Sequence, residues 1–113
     1  MEESLLTWTD FTKVQMRVGT IISAEIFKEV KNSAYKMHID FGEFGIKKTS
    51  AQITKLYTPN QLIGRQIVAV TNFPKKQIAN IMSECLVLGG IGSNKEITLI
   101  APDTKINNGT RIG

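Results

Sequence analysis

The segment Tyr35-Lys36-Met37-His38-Ile39-Asp40-Phe41 alternates apolar and polar residues without a break. Side chains leave a β-strand on opposite faces in turn, so Tyr35, Met37, Ile39 and Phe41 share one face, and Lys36, His38 and Asp40 the other. That pattern predicts a half-buried strand. Gly42 to Gly45 supplies a glycine-bounded connection, and Ile46 to Ala51 reads as the hairpin partner, with Lys47 and Lys48 near its start.

Upstream, Val14 to Ile26 also runs with period two. Met16, Val18, Thr20, Ile22, Ala24 and Ile26 fall on one face, and Gln15, Arg17, Ser23 and Glu25 on the other. This predicts a long strand bent at Gly19. Before it, Leu5, Leu6, Trp8 and Phe11 make a greasy stretch in which Thr9-Asp10 is placed to cap a short helix leading into Lys13. Downstream, the apolar spacing loosens from Gln52 to Gly64, where Pro59 is suited to open a helical turn and Gly64 to end it. Gln66 to Thr71 and Glu84 to Leu88 are apolar on both faces, as strands within a barrel wall are. Gly89-Gly90-Ile91-Gly92 lacks the Lys-Ser/Thr that completes a phosphate-cradling loop and reads as a flexible turn. Ile97 to Ile100 and Ile106 to Ile112 form a β-rich tail broken by Pro102 and the Asn108-Gly109 turn signal.

Three strands, a helical connector, two strands and a tail is the element order of an all-β, five-stranded OB-fold barrel, whose helical element falls between strands three and four. A small β-sandwich has no need of that interruption. The expected organisation is one domain: a helical extension over 1–12, a barrel over 13–89 and a β-rich extension over 90–113. A chain of 113 residues has the size of one such unit.

Fourteen Lys and Arg stand against ten Asp and Glu, a formal charge of +4 that leans mildly toward anionic partners. Cys85 is the single cysteine, so neither an intramolecular disulfide nor a cysteine zinc cluster is expected, which fits a reducing cytoplasm. Met1-Glu2-Glu3 has no basic run and no long apolar segment follows it, so neither a signal peptide nor membrane insertion is expected. No G-x-S-x-G, H-E-x-x-H or Cys/His nucleophile pattern is present, and His38 has no second ligand at useful spacing. The expectation is a binding protein with no catalytic residue, metal or cofactor.

Three stretches in order carry a family resemblance: Met16-Arg17-Val18-Gly19-Thr20-Ile21, Tyr35 to Gly42, and Gly64-Arg65-Gln66-Ile67-Val68-Ala69-Val70-Thr71-Asn72-Phe73-Pro74. The chain resembles the tRNA-binding domain family, the OB-fold module of some aminoacyl-tRNA synthetases and of free-standing tRNA-binding proteins. Ile46 to Lys55, Ser83 to Gly90 and Asn108 to Gly113 liken it to the stand-alone branch described as protein-secretion chaperones. Where tRNA-binding members place Ser-x-Gly-Met, this chain has Ser83-Glu84-Cys85-Leu86, keeping the serine and losing the methionine. The resemblance implies a cytoplasmic homodimer that holds unfolded or pre-secretory polypeptides without ATP, with tRNA binding as the alternative.

The candidate anion- or RNA-binding residues are Arg17, Lys36, Lys47, Lys48, Lys75 and Lys76, with Ser50, Gln52, Asn72 and Ser83 as neutral donors and acceptors beside them. Paired lysines at strand ends also keep surfaces soluble, and Asn72 also suits a strand end, so both readings stand. Phe73, Ile78, Ile81 and Met82 place adaptable apolar groups beside the Lys75-Lys76 pair, a composition suited to unfolded polypeptide or to core packing. Leu5, Leu6, Trp8, Ile97, Leu99 and Ile100 are surplus apolar surface if the barrel closes by Leu88, and are assigned to a dimer interface.

Overall fold

The computed structural model describes residues 4–113, so the reading of Met1-Glu2-Glu3 lies outside the described residues. The barrel wall is made by β1 (Met16–Ile26), β2 (Tyr35–Asp40), β3 (Ile46–Ala51), β4 (Gln66–Val70) and β7 (Leu86–Val87), in the antiparallel order β3-β2-β1-β4-β7. Helix α1 (Trp8–Lys13) precedes it, and α2 (Pro59–Leu62) lies between β3 and β4. The chain has the OB-fold that its element order predicts. β1 is long enough to serve two neighbours: Met16 to Thr20 pairs with β4, and Thr20 to Ile26 with β2.

The apolar face of β2 is buried as the alternation predicts. Met37, Ile39 and Phe41 are sealed in the core with Ile21, Leu62 and Ile67. The single face assigned to β1 needs correction. Pairing with β2 slips between Ile21 and Ser23, so Ile22 is a bulge residue. Ile21 therefore points into the core, Ile22 is exposed, and Ala24 returns to the core side. Gly19 also faces inward. A Cβ there meets Ile39 Cγ2 at 2.6 Å and Phe41 Cε1 at 2.7 Å, so the missing side chain is what lets Phe41 fill the barrel.

Pro59 opens α2, Gln61 Oε1 accepts the Thr58 amide at 2.9 Å, and Gly64 ends the turn at φ +91°. The connector then docks on β1, the Gly64 amide donating to the Ile21 carbonyl and the Ile21 amide to Arg65. Leu62 plugs the barrel from this end.

One element was not anticipated and two local expectations are corrected. Residues 76–83 form a hairpin, β5 (Lys76–Ile78) with β6 (Ile81–Ser83), turning at Ala79-Asn80 with Ala79 at φ +49°. The sequence lacks the Asn-Gly or Asp-Gly signal that usually marks such a turn. Gly89 to Ile91 is not a flexible turn but β8, paired with β9 (Ile97–Leu99). Finally, Thr7 rather than Thr9-Asp10 caps α1, its hydroxyl accepting the Asp10 amide at 3.0 Å.

The tail is strapped to the barrel. β10 (Arg111–Ile112) pairs with the start of β1, and Gln66 grips Ile106 through both its amide atoms. Arg111 reaches back to the Thr12 carbonyl at 2.8 Å, tying the tail to α1. No described helix is long and apolar enough to cross a membrane.

Candidate polypeptide and anion groove

A recess of about 740 Å³ lies between the β5–β6 hairpin and the β3–β7 side of the barrel. Its apolar wall is Phe73, Pro74, Ile78 and Leu86; Lys75, Lys76 and Gln77 form the rim, and Ser50, Ser83 and Cys85 the polar floor. A smaller recess of about 220 Å³ shares Ser50 and Ile78 with it and adds Gln52, Val30, Lys31, Asn32 and Ala34. The two recesses adjoin at Ser50 and Ile78.

The floor is fixed by Thr49, which is buried and donates to the Cys85 carbonyl at 2.8 Å while lying 3.3 Å from the Ser83 hydroxyl. Burial pushes the Cys85 thiol up to about 11. The Thr49 hydrogen bond and the charge of Lys47 oppose that rise, and Glu84 adds to it. Cys85 is thus a small, neutral packing group.

The structure brings two separately predicted sets into one place. Ser50, Lys75, Lys76 and Ser83 from the anion set meet Phe73 and Ile78 from the polypeptide set, and Gln52 lies in the adjoining recess. Ile81 and Met82 do not line the groove: Ile81 pairs with Ile78, and Met82 is partly exposed on β6. Lys36 and Lys48 stand on the outer face of β2 and β3, Lys36 facing Glu25 at 3.5 Å and Lys48 opposite His38. His38 Nδ1 lies 2.8 Å from the Ser23 hydroxyl. Lys47 sits opposite Ile39, half-buried at the end of the barrel.

Two predicted contacts have other work. Arg17 donates to the Gly109 carbonyl at 2.9 Å and lies flat over Phe44, 3.7 Å from the ring centre, so it pins the tail. The Asn72 amide donates to the Lys13 carbonyl at 2.6 Å and accepts the Gln15 amide at 3.0 Å. Both its polar atoms clamp the chain leaving α1. Neither residue lines the groove.

Glu84, Leu86 and Gln77 are not among the candidate site residues that the sequence offered. Glu84 has an apolar strand pattern on its C-terminal side and no charged neighbour in the chain, so nothing local marks it. Its carboxylate lies 3.7 Å from Lys75, and its side chain is only 18% exposed against 66% for Lys75.

Of the surplus apolar residues, Leu5, Leu6 and Trp8 are exposed at 89%, 70% and 76%, and α1 buries no residue of its own. Trp8 packs on Phe11, with ring centres 5.6 Å apart. Ile100 is also exposed. Ile97 and Leu99 are different: they pack on the barrel core, and Tyr57 Oη accepts the Leu99 amide at 3.0 Å. They belong to the fold of one chain.

A family model described as "Putative tRNA binding domain" matches residues 16–111. The chain belongs to that family. A methionine–tRNA ligase of Methanococcoides burtonii is 34% identical over 110 residues, covering 97% of this chain and 16% of that protein. The chain thus spans about 16% of the length of such curated relatives. Two solved structures match from end to end. The chaperone CsaA of Bacillus anthracis is 47% identical with a TM-score of 0.93, covering 97% of this chain and all of that one. The CsaA chaperone protein of Picrophilus torridus is 45% identical with a TM-score of 0.90, covering 96% and 100%.

Proposed function

We propose that this tRNA-binding-domain protein is a CsaA-like, ATP-independent, export-related chaperone whose groove holds unfolded or pre-secretory polypeptide. The observation that carries the reading is the make-up of the groove. Phe73, Pro74, Ile78 and Leu86 offer a non-directional apolar surface, while Ser50 and Ser83 offer hydrogen bonds to a peptide backbone. Such a surface accepts many sequences, because it demands no particular side chain. The lysine rim favours acidic or neutral segments. The whole reading needs no chemical step. The protein acts in the cytoplasm as a homodimer joined through Leu5, Leu6, Trp8 and Ile100, and pairing of two grooves adds avidity for long chains.

tRNA is the second reading, supported by the family match and by Lys48 and Lys76, which form no ion pair among the described residues. Salt separates the two, since phosphate contacts release counterions and apolar contacts do not. Fluorescence anisotropy with a denatured polypeptide and with tRNA, each titrated with salt, is the test. The expected result is polypeptide binding that persists at high salt. A polypeptide that fails to bind at any salt, beside tRNA that binds with a steep negative slope, overturns the chaperone reading.

A further inference from the structure

Glu84 does not line the groove itself; it stands behind the floor and pairs with Lys75 of the rim. It lies between Ser83 and Cys85, both of which line the groove. Three contacts hold it: Oε1 accepts the Lys48 amide at 3.0 Å, Oε2 faces Lys75 Nζ at 3.7 Å, and its own amide donates to the Lys48 carbonyl at 2.8 Å. The carboxylate cannot swing away when a ligand arrives, whereas the exposed Lys75 can. Its field reaches the groove floor, because it is among the groups that raise the Cys85 thiol.

We propose that Glu84 is the specificity-determining residue of the groove, a fixed negative charge that holds Lys75 and bars polyanions, so that the groove takes polypeptide in preference to nucleic acid. This rests on the polypeptide reading for the ligand that is admitted; the barrier to polyanions stands on the geometry alone. A phosphate that draws on Lys75 must pull it from a carboxylate that stays in place, and the two anions repel at short range. A peptide backbone carries no charge and meets no such barrier.

The test compares a labelled 12-nucleotide oligouridylate with a labelled unfolded peptide of zero net charge, by anisotropy from 50 mM to 500 mM salt. Glu84→Gln keeps an oxygen for the Lys48 amide and removes the charge. The ratio of oligouridylate to peptide affinity is expected to rise roughly five- to tenfold at low salt, with a salt slope steeper by about 0.7, the value of one added single-strand phosphate contact. Adding Lys75→Met to Glu84→Gln is expected to cancel that rise. A merely structural role weakens both ligands together and leaves ratio and slope unmoved, which overturns the proposal. A rise that survives Lys75→Met overturns it as well. Should Glu84→Gln fail to fold, Lys75→Met alone is decisive through the slope: a Lys75 held by Glu84 makes no phosphate contact, so the oligouridylate salt slope stays unchanged, and a slope shallower by about 0.7 overturns the proposal. If the peptide binds neither protein while the oligouridylate gain appears, the polypeptide reading fails and the barrier is upheld.

Discussion

Glu84 and Lys48 are joined twice, the Glu84 amide donating to the Lys48 carbonyl at 2.8 Å and the Lys48 amide to Glu84 Oε1 at 3.0 Å. This pair brings β3 to the chain between β6 and β7, where the sheet order β3-β2-β1-β4-β7 otherwise ends. Glu84→Ala leaves the Lys48 amide without its side-chain partner and is expected to destabilise by about 1–3 kcal/mol, whereas Glu84→Gln, which keeps the acceptor, loses less. Urea unfolding reads the difference as a shift in midpoint without a change in slope. Equal losses in the two variants contradict the hydrogen bond's role in closing the barrel.

Gly19 makes a second closure, inside the barrel. Because a Cβ at this position lies 2.6–2.7 Å from Ile39 and Phe41, both fully buried, Gly19→Ala must push aside a ring with nowhere to move. Overpacking of this kind costs about 1–3 kcal/mol. Adding Phe41→Leu, which shortens the offending group, is expected to recover part of that loss in a double-mutant cycle. Strict additivity of the two losses means the clash is elsewhere.

The thiol of Cys85 gives a pH dependence with a definite sign. Its value is raised from 9.0 to about 11 by burial, so the folded state holds the proton more tightly than the unfolded chain. The group's contribution is fully present below pH 9 and is lost as pH rises through about 11; stability falls across that window. Cys85→Ala is expected to show a shallower decline from pH 9 to 11 in thermal melts. In the native protein at pH 8, about one thiol in a thousand is ionised, so a disulfide reagent should modify Cys85 only after unfolding. Rapid modification of the folded protein contradicts this.

Asn72 shows where sequence reasoning met its limit. An exposed asparagine after a strand suits ligand contact and chain clamping equally, and only the positions of Lys13 and Gln15, more than fifty residues away, decide. Arg17 is the same case, since its partners Gly109 and Phe44 come from the far end and from a turn. By contrast β2 was legible because a strand with one dry face must alternate, and α2 because Pro59 and Gly64 mark its ends chemically. β1 alternates too, but a bulge at Ile22 reverses its faces, and a bulge leaves no mark in a period-two pattern. The groove's residues were partly legible as types, Lys75-Lys76 beside Phe73-Pro74, while their meeting with Ser50 and Leu86 required the closed barrel.

For Asn72 the expected outcome follows from its clamp. Asn72→Ala frees the Lys13 carbonyl and the Gln15 amide, and the segment 8–15, whose helix buries no residue, keeps its own turns, the Arg111 tie and the Thr71 bonds to the Gln15 carbonyl. Hydrogen exchange of residues 8–15 is expected to rise by roughly tenfold, the equivalent of one net hydrogen bond lost locally, with strands β1 to β4 unchanged. No change in α1 exchange contradicts the clamp.

The two apolar ends, which the sequence offered as a single interface, separate under mutation. Leu6 and Trp8 touch little of their own chain, so Leu6→Glu and Trp8→Glu are expected to leave the melting temperature of the monomer nearly unmoved. In a dimer joined there, each buries a charge against the partner and should raise the dissociation constant by at least tenfold, seen by sedimentation equilibrium. Leu99 packs on the barrel and its amide is held by Tyr57, so Leu99→Ala is expected to lower stability by about 1–3 kcal/mol without acting through the partner. The decisive comparison is protein concentration. A Leu99→Ala loss that stays the same from micromolar to hundreds of micromolar places Leu99 within one chain's fold, whereas a loss that disappears at high concentration returns it to the interface.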